Sequence, residues 1–347
     1  MTSLPAADLA QIDALWHTFV ASGEVAAGWQ RVQGRLVRAV HRGVLPSGPV
    51  HVKTMAFPRA KDRLRYLVRA LPAAHEARML RAVAAAGIPC PEVLDVRTLR
   101  RRGLPFRSML VLRTMPLAEP GHPADADPWQ RLRAEAELAM ALLRAGIVHR
   151  DLHTGNFVRL ADGRLAVLDL QSASLRAPGP PGRRLALAAA ARLLRDRTGL
   201  DLEPACAVLV AVGLLADGSD AAGLERRLRA ERAHFERTRV CRCLCTSTEF
   251  TVATGLAGRT FQRRGDLGPG RWVRGDRTFF HAWLGQRALH LATGRTPLFP
   301  AMFRKWWWLG GGVALYVPAP CSDARIEPEV RAASAGWTRR YQGTQQA

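Results

Sequence analysis

The sequence predicts an α+β fold of two lobes, β-rich first and mainly helical second, followed by a C-terminal extension. Three observations predict it. Short valine-containing runs separated by turn residues fill Trp29 to Arg113, the pattern of antiparallel strands. Strong helix formers dominate Trp129 to Arg237. Between them, Pro116 to Pro128 carries prolines, Gly121 and acidic residues and has linker composition. The expected division is an N-terminal helix over 1–24, a first lobe over 25–115, a hinge over 116–128, a second lobe over 129–239, and an extension of unassigned role over 240–347.

Taken in order, Leu9, Ile12, Leu15, Trp16 and Phe19 recur at helical spacing and predict an amphipathic helix from Pro5 to about Ser22. Val32, Leu36 to Val40 and Val50 to Met55 predict three strands, the last two separated by Pro46-Ser47-Gly48-Pro49. Ala73 to Ala86 is a helix closed by Gly87, and Pro89 and Pro91 prevent its continuation. Glu92 to Leu99 and Ser108 to Arg113 complete a five-strand, one-helix lobe, joined by a basic turn at Arg100 to Arg102. The second lobe opens with a helix over Trp129 to Ala145, and further helices are expected at Arg183 to Arg197, Glu203 to Ala216 and Ala221 to Arg237. In the extension only a helix at about Thr278 to Thr293 is legible among strand-like residues.

Composition bounds the partner. In 347 residues, 51 Lys and Arg against 29 Asp and Glu leave a net charge of +22, which favours an anionic partner. Aromatics are only 7% and the arginine pairs are dispersed, so a stacking nucleic-acid surface is not expected. An anionic membrane leaflet attracts such a chain by roughly 1 kcal/mol per nearby Lys or Arg, enough for peripheral contact. No stretch is long and apolar enough to span a bilayer, and Met1 to Val20 lacks a secretory signal pattern. Six cysteines are too few for a disulfide scaffold. The expected location is the cytoplasm, with peripheral contact at the cytoplasmic face of the inner membrane.

The informative run is His149-Arg150-Asp151-Leu152-His153-Thr154-Gly155-Asn156, followed by Val167-Leu168-Asp169-Leu170-Gln171. Two apolar tetrads flank Ala161-Asp162-Gly163-Arg164, and Asp-Gly is a preferred pair for a two-residue type I′ turn. That turn sets Leu160 opposite Leu165, Val158 opposite Val167 and Asn156 opposite Asp169. An amide oxygen and a carboxylate then converge at the open end of the hairpin, an arrangement suited to Mg²⁺. Asp151, five residues before Asn156, is placed to accept the proton of an attacking hydroxyl in phosphoryl transfer. Spacing of this kind is the catalytic-loop pattern followed by a metal-binding aspartate.

The first lobe supplies a cation. Only Lys53, Lys61 and Lys305 are lysines, and Lys53 sits on the expected third strand, from which a lysine reaches the α- and β-phosphates of ATP. Glu76 on the following helix can pair with it, or with Arg78 or Arg81 on its own helix. Lys61 and Glu92 offer poorer geometry, in a loop and beyond a helix end.

These residues together resemble the protein-kinase-like fold over roughly Trp29 to Arg237, and more narrowly the lipopolysaccharide core kinases that act on heptose and 3-deoxy-manno-octulosonic acid. In that family an Asp-Leu-Gln or similar triplet replaces Asp-Phe-Gly, as Asp169-Leu170-Gln171 does here. The resemblance implies an ATP-dependent, Mg²⁺-dependent kinase acting on a sugar hydroxyl of an anionic bacterial glycolipid. Lys53 and Glu76 would be at the phosphates, Asp151 the base, and Asn156 and Asp169 the metal ligands. Two departures bear on it. No Gly-x-Gly-x-x-Gly loop lies between Trp29 and Met55, and only Leu170 to Gly182 separates Asp169 from the next helix. The latter is too short for an activation segment, which argues against a protein substrate. Alternatives are a kinase for a small soluble acceptor such as an aminoglycoside or metabolite, and a non-catalytic basic adaptor.

Other residues have plainer readings. His149 is expected to pack beneath the loop, with Arg150 exposed beside it, and His153 either lines the acceptor pocket or makes a local hydrogen bond. Cys241, Cys243 and Cys245 alternate as on one face of a strand and are expected to be buried rather than metal-bound. Trp306, Trp307 and Trp308 suit either a core or a membrane interface.

Overall fold

The computed structural model describes residues 4–341 apart from 35–36, 58–59, 198, 218–219, 248, 266, 294–298, 307–310 and 320–322. Trp307 and Trp308 therefore lie outside the described residues. Two compact units divide the chain, 1–231 and 232–347.

In the first unit, α1 (Ala6–Ser22) buries Ile12, Leu15 and Phe19 and stops at Gly23, whose left-handed φ of 83° lets its N–H return to Phe19 O. Five strands follow in one antiparallel sheet of order β1-β2-β3-β5-β4: β1 (Gln30–Gly34), β2 (Arg38–Leu45), β3 (Gly48–Ala56), β4 (Val93–Arg101) and β5 (Leu104–Arg113). Short α2 (Ala60–Arg65), which the sequence pattern did not announce, and α3 (Pro72–Ala85) lie between β3 and β4. The chain passes to the edge with β4 and returns beside β3 with β5, so β3 becomes the middle strand. Its alternation sorts the two faces. Val50 and Val52 join Ile12 and Leu15 of α1 in one core, while Lys53 pairs with Leu110, which belongs to the core containing α3.

α4 (Pro128–Arg144) starts at Asp127, whose side chain accepts the Trp129 N–H at 2.8 Å. Then come β6 (Ile147–His149), β7 (Phe157–Arg159), β8 (Leu165–Val167) and β9 (Ala173–Leu175), followed by α5 (Arg183–Arg195), α6 (Leu202–Ala211) and α7 (Ala221–Cys241). One apolar core joins Met79, Leu80 and Val83 of α3 to Leu132, Ala136, Phe157, Val167 and Leu170. The two lobes are therefore packed together through α3.

The β7–β8 hairpin corrects the expected register. Phe157 faces Val167, Val158 faces Ala166 and Arg159 faces Leu165. The turn is a three-residue loop, Ala161 to Gly163, closed by the Leu160 N–H to Arg164 O (2.8 Å) and the Gly163 N–H to Leu160 O (2.9 Å). A type I′ turn needs positive φ at both central residues, and here only Gly163 (φ 83°) takes it; Asp162 instead accepts the Arg164 N–H at 3.0 Å. Asn156 is consequently level with Leu168, whose N–H its carbonyl accepts at 2.8 Å, and not with Asp169.

The second unit holds β10 (Phe250–Thr254), β11 (Gly258–Arg263), β12 (Gly270–Gly275), α8 (Arg277–Thr293), β13 (Ala301–Lys305), β14 (Val313–Pro318) and α9 (Asp323–Tyr341). Its sheet has the order β10-β11-β13-β14-β12, all antiparallel. Phe261, Trp283, Leu284, Met302, Leu315 and Val330 form its core. The cysteine triplet is not on a strand: Cys241 ends α7 and Cys243 lies in a 3-10 turn, so the three do not share a face. Cys243 alone of the three is buried, the other two being half-buried and exposed. Trp306 donates from Nε1 to Gly255 O at 3.1 Å and stacks under Arg259. Among the described residues no helix is long and apolar enough to cross a membrane.

Candidate active site

Lys53 and Glu76 meet in the first lobe. The Lys53 ammonium donates to Glu76 Oε1, and both side chains are largely buried. Their encounter follows from three local features. β3 is central, so Lys53 is held on both sides; α3 packs against the same sheet face. The helix start is fixed from outside: its N-cap residue, Leu71, offers no side-chain oxygen, and Ser108 Oγ on β5 accepts the Ala73 N–H at 3.1 Å. A buried ion pair of this kind adds little net stability, but it holds the ammonium in one direction.

On the other side, the segment after β6 is wound tightly. The Asp151 N–H donates to His149 Nδ1 (3.1 Å) and Ser172 Oγ (3.2 Å), and the Asp151 carbonyl accepts from Asn156 Nδ2 at 2.6 Å. These bonds commit the amide nitrogen of Asn156 to the loop and leave its Oδ1 as a hard oxygen donor. The Asp151 carboxylate is well exposed, 3.8 Å from Arg195 Nη1 and 3.9 Å from His153 Nε2. His149 is buried, and burial chiefly lowers its pKa, so at neutral pH it is the uncharged acceptor that the Asp151 N–H requires. His153 makes a local bond, accepting the Gly155 N–H at 3.1 Å, with its second nitrogen facing Asp151.

Asp169 reaches the site by backbone conformation. Its φ and ψ of 54° and 60° are left-handed, which costs a non-glycine residue roughly 1–2 kcal/mol. Strand alternation ends there, so a carboxylate that the observed register would send to the far face turns back. Burial alone would raise its pKa; the Lys53 ammonium and then the Arg38 guanidinium outweigh it and hold the carboxyl below the usual range. β9 then pairs with β6, and His75 of α3 is bonded to Ala173 O at 2.9 Å. The segment after Asp169 is thus tied to the helix that carries Glu76.

An ionised Asp169 and an Asn156 amide oxygen are the donor types a magnesium ion takes, so these residues fit such an ion. Chemically, the arrangement pairs a fixed cation and two hard oxygen donors with an exposed carboxylate, the parts of a phosphoryl-transfer site.

A match to a known family agrees with that chemistry. Residues 99–199 match the phosphotransferase enzyme family, APH. Over that stretch the chain is similar to phosphotransferases. Among solved structures, WaaP in complex with acyl carrier protein is similar at 20% identity and a TM-score of 0.42, covering 59% of this chain and 88% of that one. No curated protein matches.

Sequence reasoning overlooked two parts of this candidate site. The first is Glu135 on α4, fully buried, which accepts from Arg131 Nε (2.5 Å), Arg197 Nη2 (2.8 Å) and Thr154 Oγ1 (3.3 Å). Arg131 also donates to Phe157 O at 3.0 Å, so the network pins both ends of the turn around Asn156. A carboxylate amid alternating helical charges gives no sequence signal of burial. The second is Arg38. It stands two residues from Val40, which faces Lys53 across the β2–β3 hairpin, and so shares the sheet face of Lys53. The Pro46-Ser47 turn contained that register.

Proposed function

We propose that the protein transfers the γ-phosphoryl group of ATP to a sugar hydroxyl of a lipopolysaccharide core or related anionic bacterial glycolipid. Lys53, directed by Glu76, holds the α- and β-phosphates. Asp151 accepts the hydroxyl proton through its exposed carboxylate, while Asn156 and Asp169 hold Mg²⁺. When bound, the ion neutralises charge on the phosphates. His149 and Ser172 fix the backbone of Asp151, and Asn156 bonds to its carbonyl, so the base is set before substrate arrives.

The observation that carries the acceptor class is the chain after Asp169. It runs directly into β9, pairs with β6 and enters α5 at Arg183, leaving no platform for a peptide. A net charge of +22 and the Asp-Leu-Gln triplet support an anionic glycolipid at the cytoplasmic face of the membrane.

Incubation with labelled ATP and a panel of extracted glycolipids, sugars and aminoglycosides tests the reading, with Asp151→Ala as control. Label is expected in a glycolipid, with turnover lowered about 10²- to 10⁴-fold in the variant and ATP binding retained. Transfer only to aminoglycosides or other small soluble acceptors would replace the glycolipid assignment, and co-sedimentation with anionic liposomes separates the two cases independently.

A further inference from the structure

The sequence has no Gly-x-Gly-x-x-Gly loop between Trp29 and Met55, and Gly34 and Gly43 do not substitute for one. A Cβ at Gly43 would meet the Trp29 ring at 2.3 Å, and one at Gly34 would meet the Arg31 guanidinium at 1.9 Å. Both are covered by side chains rather than open to a phosphate. Among the described residues of this region, Arg38 is the one that projects into the site. Its Nη1 donates to Gln171 Oε1 at 3.0 Å and its Nη2 lies 3.5 Å from Asp169 Oδ1. The side chain is mostly buried, and Nε is buried with no hydrogen-bond partner among the described residues. One arginine thus joins β2 of the first lobe to both polar members of the Asp169-Leu170-Gln171 triplet, on the sheet face that carries Lys53.

From this geometry we infer that Arg38 is a ligand of the nucleotide's terminal phosphates, doing with a guanidinium what a glycine-rich loop does with backbone N–H groups. This rests on the proposed kinase reading. A guanidinium and a divalent cation do not share one carboxylate oxygen without repulsion, so Arg38 would have to leave that oxygen for Asp169 to hold a Mg·nucleotide. The planar fork then turns to phosphate oxygens, which it matches in geometry and charge, with Nε as a further donor. Gln171 retains the other edge of the fork and limits the turn to a small rotation. The arginine at 38 and the glutamine at 171 thereby act as one device, and each explains the other.

Equilibrium binding of Mg·ATP, Mg·ADP and adenosine to wild type, Arg38→Ala, Arg38→Lys and Gln171→Ala tests it, with thermal melting to show that each variant folds. Arg38→Ala is expected to weaken Mg·ATP binding at least about tenfold, the loss of a charge-assisted hydrogen bond, and to leave adenosine binding unchanged. Arg38→Lys, which keeps the charge and loses the fork, should fall between, and Gln171→Ala should weaken Mg·ATP a few-fold. If Arg38→Ala binds Mg·ATP as tightly as wild type or more tightly, the arginine only competes with the metal and the inference fails. It fails equally if adenosine binding falls as much as that of Mg·ATP. Should Arg38→Ala not fold, wild-type affinity in both Arg38→Lys and Gln171→Ala is the overturning result. A wild-type protein that binds no Mg·ATP would remove the kinase reading itself, a different outcome from an intact affinity in the variant.

Discussion

Each unit contains a five-stranded antiparallel sheet, and the two treat their third strand differently. In the first, β3 lies between β2 and β5, and the strand that follows the intervening helices goes to the edge. In the second, β12 is itself the edge and β13 enters the middle. A central strand holds a side chain on both flanks, so β3 can present Lys53 in one direction to a buried partner. An edge strand cannot. The difference extends to the cores: Asp8, Glu76, Glu135 and Asp220, all in the first unit, are the buried carboxylates among the described residues, whereas the second unit is packed mainly by apolar groups. Burying carboxylates is costly unless each is paired, and it is tolerated where they fix the geometry of a site. Two of the four, Glu76 and Glu135, hold residues of the candidate site, while Asp8 accepts the Ser47 N–H and Asp220 pairs with Arg183.

The comparison breaks most sharply on the two lysines. Lys53→Ala is expected to lower phosphotransfer roughly 10²- to 10³-fold, the usual effect of removing one preorganised donor at developing charge. Lys305→Ala, at the exposed end of β13 in the other sheet, should leave the rate unchanged. Steady-state rates on the best acceptor from the panel decide it. Comparable losses in both variants would show that the buried pairing with Glu76 is not what sets Lys53 apart.

Much of the first unit was legible because its punctuation is strong. Gly23, the Pro46-Ser47 turn, Gly87 and the proline-rich hinge each stop or start an element for a stated steric reason, and the helices begin and end within a few residues of expectation. The loop His149 to Asn156 was legible because its residue spacing is local and hydrogen bonds within eight residues run along it, although Ser172 and Glu135 also hold it. The hairpin register was not, since Asp-Gly serves both a two-residue turn and a three-residue loop, and the choice between them rests on whether Asp162 accepts positive φ. The placement of Asp169 depended on its own left-handed φ, which no residue type announces. Glu135 and Arg38 depend on tertiary partners remote in sequence. In the second unit the alternation was visible, but strand order was not, because β12 and β13 are joined through α8 and either could have been central.

Charge burial gives the next test of the comparison. Glu135→Ala removes the carboxylate shared by Arg131, Arg197 and Thr154, and breaking a buried ionic network from one side costs about 3–5 kcal/mol. Glu327 on α9 makes an i, i+4 pair with Arg331 at 2.6 Å, but both side chains are nearly four-fifths exposed, and an exposed helical pair is worth about 0.3–0.5 kcal/mol. Denaturant unfolding of the two variants should therefore differ several-fold in the stability lost. Equal and small effects would mean that the arginines around Glu135 find water or other partners once it is gone.

The smallest expected effect concerns the cysteines, where the second unit's apolar packing is measured directly. Cys243 is fully buried and accepts a hydrogen bond from Trp283 Nε1 at 3.1 Å; burial pushes its thiol up to about 12. Cys245, two residues on, is exposed. Because the thiolate is the reactive form, brief alkylation of the folded protein at pH ~8 should label Cys245 and spare Cys243, as read by peptide mass spectrometry. The sign of the linkage is set by the raised value. The folded state favours the protonated thiol, so its contribution to stability is present below the ordinary cysteine pKa and is lost as pH rises from there towards 12. Cys243→Ser, which keeps the volume close and adds a hydroxyl, should abolish that part of the alkaline dependence. Equal labelling of the two cysteines in the folded protein would show that this core opens readily, and the contrast between an ion-paired interior and an apolar one would then be a contrast in rigidity as well.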